Sequence, residues 1–133
     1  MRKLPILLLL LLLTGCKRDV CDTPIGSVGD ILLTDYAEIY NNVGSTVVLN
    51  RGHRGVLVRC EDFGQYAAFE CACPKDHDVR MLPDDDHAAT TLTCPSCGSR
   101  YELFNGNPLE GSATSCPLYR YSTSVEGYRL YIY

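Results

Sequence analysis

Between Asp30 and Tyr133 the chain contains no stretch in which apolar residues keep a helical period for more than a turn. They come instead in short β-branched and aromatic runs, and Gly, Pro, Asn or Asp interrupts them every eight to twelve residues. That rhythm predicts strands at Asp30-Ile31-Leu32-Leu33, Val47-Val48-Leu49, Val56-Leu57-Val58-Arg59, Tyr66 to Phe69, Thr90 to Thr93, Arg100 to Phe104, Tyr119 to Ser122 and Tyr128 to Tyr133. The last of these, Tyr-Arg-Leu-Tyr-Ile-Tyr, alternates as a half-buried strand should. Asn50 to Gly55, Asp62-Phe63-Gly64 and Asn105-Gly106 read as turns. Only Tyr36 to Tyr40 has the makings of a helical turn. The fold class this implies is a small antiparallel all-β sandwich or barrel.

The first fifteen residues have a different character. Arg2 and Lys3 precede an apolar run, Leu4 to Leu13, that is too short to span a bilayer, for which about 20 residues are needed. It suits the h-region of a signal peptide. Leu13-Thr14-Gly15-Cys16 then resembles the cleavage site of a bacterial lipoprotein, which implies that Cys16 becomes the lipidated N-terminus and holds the chain to a membrane. The expected organisation is a signal peptide over residues 1–15, a lipidated tether over 16–29 and a single domain over 30–133. The location implied is the bacterial cell envelope. Lys17, directly after the lipidated Cys, points to the outer membrane, facing the periplasm. The formal net charge is −4, and removal of a leader with two basic and no acidic residues makes the chain more acidic. An acidic chain argues against nucleic acid as a partner.

Eight cysteines remain to be assigned. Beyond Cys16, Cys21, Cys60 and Cys116 stand apart, and an exported chain is in a compartment where two of the three can pair, although spacing does not say which. The other four form two close pairs: Cys71-Ala72-Cys73-Pro74 and Cys94-Pro95-Ser96-Cys97-Gly98-Ser99. Each pair follows a strand-like run, so both sit in loops at strand ends. Thiolates in such loops can share a tetrahedral metal ion or an iron–sulfur cluster, or pair as disulfides. Gly98 permits a tight backbone around a metal, and Ser99 is placed to donate a hydrogen bond to a sulfur.

From Cys94 onward the residues resemble a Rieske-type domain. The pattern Cys-Pro-x-His-Gly-Ser-x-Phe is met by Cys94-Pro95-Ser96-Cys97-Gly98-Ser99-Arg100-Tyr101. Gly106, Gly111-Ser112-Ala113, Leu118 and Tyr121 continue the resemblance, and Val56-Leu57-Val58 with Tyr66-Ala67-Ala68-Phe69 extends it backward. It implies a Rieske-like β-sandwich carrying a two-loop metal-binding subdomain. The departures fall on the ligands. Cys97 stands where the family has a His. In the first loop two registers are open. If Cys71 matches the family's ligand Cys, Cys73 replaces the first His, and Cys71, Cys73, Cys94 and Cys97 form a four-thiolate set. If Cys73-Pro74 matches instead, Lys75 takes the His position and His77 becomes the alternative ligand. The first register is preferred because it supplies four ligands without a shift.

The resemblance implies a [2Fe–2S] cluster, with Gly98 and Ser99 supporting its ligands, and four thiolates could equally hold one Zn2+. No catalytic set with a supporting motif appears. The expected function is one-electron transfer to an unidentified redox protein of the membrane or periplasm. The alternative is a zinc-bound or metal-free structural or binding module on the same scaffold.

Overall fold

The computed structural model describes residues 20–133. The leader and the lipidation candidate Cys16 lie outside the described residues.

Among the described residues ten strands form three antiparallel sheets. The first sheet has the order β1–β10–β9, made of Gly29–Leu32, Arg129–Ile132 and Thr123–Glu126. The second has the order β2–β3–β4–β8, made of Thr46–Leu49, Val56–Asp62, Gln65–Glu70 and Arg120–Tyr121. The third is small and has the order β5–β6–β7, made of Leu82–Pro83, Thr91–Thr93 and Arg100–Glu102. The protein is therefore all-β, with no α-helix among the described residues. The helical turn falls earlier than Tyr36 to Tyr40, as a 3-10 turn over Leu33–Asp35, and two further three-residue bonds, Ile39 N–H to Tyr36 O and Tyr40 N–H to Ala37 O, carry the bend onward.

The hairpin of β3 and β4 explains the layering. Side chains alternate across a strand, and here both faces are apolar. Val56, Val58 and Cys60 of β3, with Tyr66 and Ala68 of β4, face a core shared with Ile31, Leu130 and Ile132 of the first sheet. Leu57, Ala67 and Phe69 point the other way, into a second core with Met81, Leu92, Tyr101, Leu103 and Leu118. The third sheet covers that second face. The sandwich is thus two sheets thick, and a third layer carrying the cysteine loops is added on one side.

The expected tether is partly docked. Val28 is buried in the first core, the Gly52 N–H donates to Ser27 O, and Arg51 donates to Val28 O and Asp30 O. Cys21 is joined to Cys116 by a disulfide that spans 95 residues of sequence. This settles which two of the three scattered cysteines pair. Cys60 stays reduced and buried, its Sγ donating to Asp62 O.

Candidate metal centre

The first loop leaves the end of β4. The alternation that puts Ala67 and Phe69 into the second core continues through Cys71 and Cys73. An opposing segment then takes over the pairing: Met81 N–H donates to Cys71 O, Cys73 N–H donates to Val79 O, and Ala72 bridges Arg80. The second loop connects β6 to β7. Cys94 N–H donates to Ser99 O and Gly98 N–H to Cys94 O, closing a tight turn. Gly98 has φ +73° and nothing near the position a Cβ would take, so its backbone angle, not crowding, is what demands glycine there. Asp76 and Ser96 clasp the two loops across the gap through a hydrogen bond of 2.8 Å.

These loops bring three thiols together. The sulfurs of Cys73, Cys94 and Cys97 all lie within 4.8 Å of one another, and Cys73 and Cys97 are 3.6 Å apart. Cys73 and Cys94 are buried, and Cys97 is half-exposed at the tip. Cys71 does not join them. It sits one alternation step nearer the sheet, fully buried in the second core, with its backbone held by Gly55 and Met81. His77 does not join them either: its Nε2 is 3.0 Å from Pro74 O and 3.9 Å from the Asp22 carboxylate. Lys75 is exposed. The first-loop cysteine facing the second loop is therefore the one before Pro74.

Burial pushes the thiols of Cys71 and Cys73 up to about 12. Cys97 moves the other way. Against the cost of its partial burial, hydrogen bonds from the Ser99 side chain and backbone and from its two thiol neighbours hold it below the usual thiol value. The Ser99 Oγ is 3.2 Å from the Cys97 Sγ and accepts from Ala113 N–H at 2.8 Å. With an acceptor position of the hydroxyl filled by Ala113, its proton is free to point at a Cys97 thiolate.

Tyr101 supplies the remaining polar atom. Its ring lies in the second core, and its hydroxyl is the buried side-chain N or O atom without a hydrogen-bond partner among the described residues. Burial raises its pKa and the charge of Cys73 raises it further; the Ser99 side chain opposes the rise, and Cys97 and Cys94 add to it. A buried donor without an acceptor is costly. One placed among thiols fits a site in which those thiols become metal-bound thiolates and accept its proton.

The spacing of the sulfurs constrains the metal group they could hold. A tetrahedral ion with Zn–S bonds of about 2.3 Å holds its ligand sulfurs about 3.8 Å apart. The 3.6 Å Cys73–Cys97 separation matches that edge. An all-Cys [2Fe–2S] cluster needs four thiolates shared between two irons, and ligands on different irons stand farther apart than ligands on one ion. Three sulfurs, all mutually close, fit one ion. Two thiolates on one tetrahedral iron of a cluster meet the same edge, so the Cys73–Cys97 separation suits either metal group.

No protein-family model matches the chain, and no curated protein does. Among solved structures, the ferredoxin of carbazole 1,9a-dioxygenase from Nocardioides aromaticivorans IC177 aligns at 18% identity with a TM-score of 0.49, covering 82% of this chain and 96% of that one. A complex of reduced oxygenase and oxidized ferredoxin in carbazole 1,9a-dioxygenase aligns at 17% identity with a TM-score of 0.47, covering 84% and 94%.

Proposed function

We propose that the protein is a metal-binding module of the bacterial envelope, built on a Rieske-like scaffold, in which Cys73, Cys94 and Cys97 hold a single tetrahedral ion, with Zn2+ the best fit. The mutual closeness of the three sulfurs carries this reading. Bound there, the ion would cross-link two loops that Asp76 and Ser96 already clasp, and so present residues 74–79 and 95–98 as one rigid surface to a partner. The envelope location is supported by the basic residues and apolar run before Cys16, which would carry the lipid, and by the Cys21–Cys116 disulfide, a bond that persists in oxidising compartments.

A second reading has a specific observation behind it. Hydroxyl donors at thiolate ligands tune a redox-active iron, since hydrogen bonds to sulfur shift its potential. Ser99 is such a group, its hydroxyl 3.2 Å from the Cys97 sulfur, and the partly exposed Cys97 would be a contact point for a redox partner. On that reading the centre holds iron, and the chain carries one electron at a time to a membrane or periplasmic protein.

Metal analysis and a visible spectrum of the full-length chain, extracted from membranes in detergent, separate the two. One zinc per chain and no colour is the expected result. Iron with visible absorption that dithionite bleaches would favour the electron carrier, and protein free of both metals would refute both readings. Recovery of a Cys16→Ala chain in the soluble fraction is expected, and its retention in membranes would refute the lipid anchor.

A further inference from the structure

Glu70 is the last residue of β4, and no part of it is exposed. It interrupts the otherwise apolar series Tyr66-Ala67-Ala68-Phe69 immediately before the first cysteine loop. A buried carboxylate is unfavourable unless its lone pairs are all used, and here they are. Oε1 accepts from His53 N–H at 2.6 Å and from the Tyr121 hydroxyl at 2.8 Å. Oε2 accepts from Arg54 N–H and from Ala72 N–H, both at 2.9 Å. The donors are three backbone amides and a phenol. The Arg54 guanidinium turns outward to Asp78.

The chain makes room for this carboxylate. Gly52 has φ +70°, and a Cβ there would stand 2.7 Å from Glu70 Oε1 and 2.9 Å from the Tyr121 oxygen. One of the four donors links the arrangement to the metal centre. Ala72 lies between Cys71, which is committed to the core, and Cys73, which faces the other thiols. Glu70 Oε2 therefore fixes the point at which the chain stops being a strand and becomes a ligand loop. The far side of the same point is fixed by the bridge from Ala72 to Arg80.

We propose that Glu70 is a positioning residue for the metal centre: by gathering the amides of His53, Arg54 and Ala72 onto one carboxylate, it sets where Cys73 stands. The proposal rests on the metal-binding reading above and adds a residue that touches no metal. Apolar residues fill such a site at lower desolvation cost, but they cannot gather three N–H groups from two segments.

The test uses the full-length chain in detergent with cobalt(II) as the probe. It records the dissociation constant by chelator competition, the visible spectrum of the bound cobalt, and the urea midpoint of the metal-free protein. Glu70→Gln keeps the shape but turns an amide N–H2 toward the donors. It is expected to weaken cobalt binding by about tenfold or more and to change the spectrum, the scale at which residues supporting ligands act. Gly52→Ala, which displaces the carboxylate, should do the same. Glu102 is the control. It gathers the amides of Phe104, Asn105 and Asn107 in the same manner, away from the thiols, so Glu102→Gln should lower the urea midpoint and leave cobalt affinity within about twofold. Cobalt bound by Glu70→Gln and Gly52→Ala as tightly as by the parent chain overturns the proposal. So does an equal loss in Glu102→Gln, which would make the effect one of general stability. If Glu70→Gln does not fold, Gly52→Ala decides alone. A parent chain that takes up no cobalt refutes the metal-binding reading itself, a result distinct from either.

Discussion

Replacing both members of the Cys21–Cys116 bridge by serine removes a covalent closure of 95 residues. In the chain-entropy account, closing a loop of about 100 residues withholds roughly 4.7 kcal/mol of disorder from the unfolded chain. The folded state loses little of its own, because the segment around Cys21 has other holds: Gly52 on Ser27, Arg51 on Val28 and Asp30, and the pairing of β1 with β10. Nearly the whole effect should therefore come from the unfolded side. A single domain of this size has about 5–15 kcal/mol in total, so the loss is between a third and nearly all of it. With a urea slope of about 1–3 kcal/mol/M, the midpoint of the Cys21→Ser/Cys116→Ser chain should fall by about 2 M, and its slope should rise as the unfolded state expands. The double variant is preferable to a thiol reductant, which would also compete for any metal held by Cys73, Cys94 and Cys97. A midpoint shift below about 0.5 M at unchanged slope would refute the view that the bridge works by restricting the unfolded chain.

Cys71→Ala should keep a full complement of metal and lose only about 1 kcal/mol, less than the 2–5 kcal/mol of a larger core truncation, whereas Cys73→Ser should lose the metal; metal content per chain reads both. Gly106→Ala forces a side chain onto a backbone with φ +82° and sets its Cβ 3.0 Å from Phe69; urea denaturation should show a loss of about 1–2 kcal/mol. Glu102 keeps its pKa below the ordinary value of 4.5, the amides of residues 104–107 outweighing a burial cost that acts in the opposite sense. A depressed carboxylate stabilises the fold above its unfolded pKa and loses that contribution as pH falls through its folded one. The stability gap between the parent chain and Glu102→Gln should therefore be full at pH 7 and close below pH 4.5, and urea midpoints across that range would show it.

The strands that a sequence reveals are those whose burial is lopsided or complete. Val56-Leu57-Val58 and Tyr66 to Phe69 are apolar on both faces and became the central hairpin. The Thr123–Glu126 strand went unread because it lies at a sheet edge and only partly buries alternate residues. Leu82–Pro83 is two residues long and exists only by pairing with β6. At the site, Cys94, Cys97, Gly98 and Ser99 were legible as one compact loop. The first loop was not, because Cys71 and Cys73 share a parity and a pattern of two cannot tell them apart. The pairing of residues 71–73 with 79–81 decides between them, and that pairing leaves little trace in composition. The choice of Cys21 and Cys116 was equally silent, since a contact across 95 residues has no local signature. Glu70 did carry a signal, a lone acid at the end of an apolar strand. Its meaning depended on four donors drawn from three separate parts of the chain.

Over Val56 to Val58 and Tyr66 to Glu70 the β3–β4 hairpin has no solvent face. One side of it belongs to the sandwich and the other to the layer that carries the thiols. Its amides therefore have no route to deuterium through a local opening of either core alone. Leu57, Val58, Ala67 and Ala68 should be the last to exchange, at the rate of whole-molecule unfolding. Any ligand that binds only the folded thiol loops would then slow exchange along the whole hairpin, so that Val58 and Ala68, whose side chains face the opposite core, become reporters of an event at Cys97.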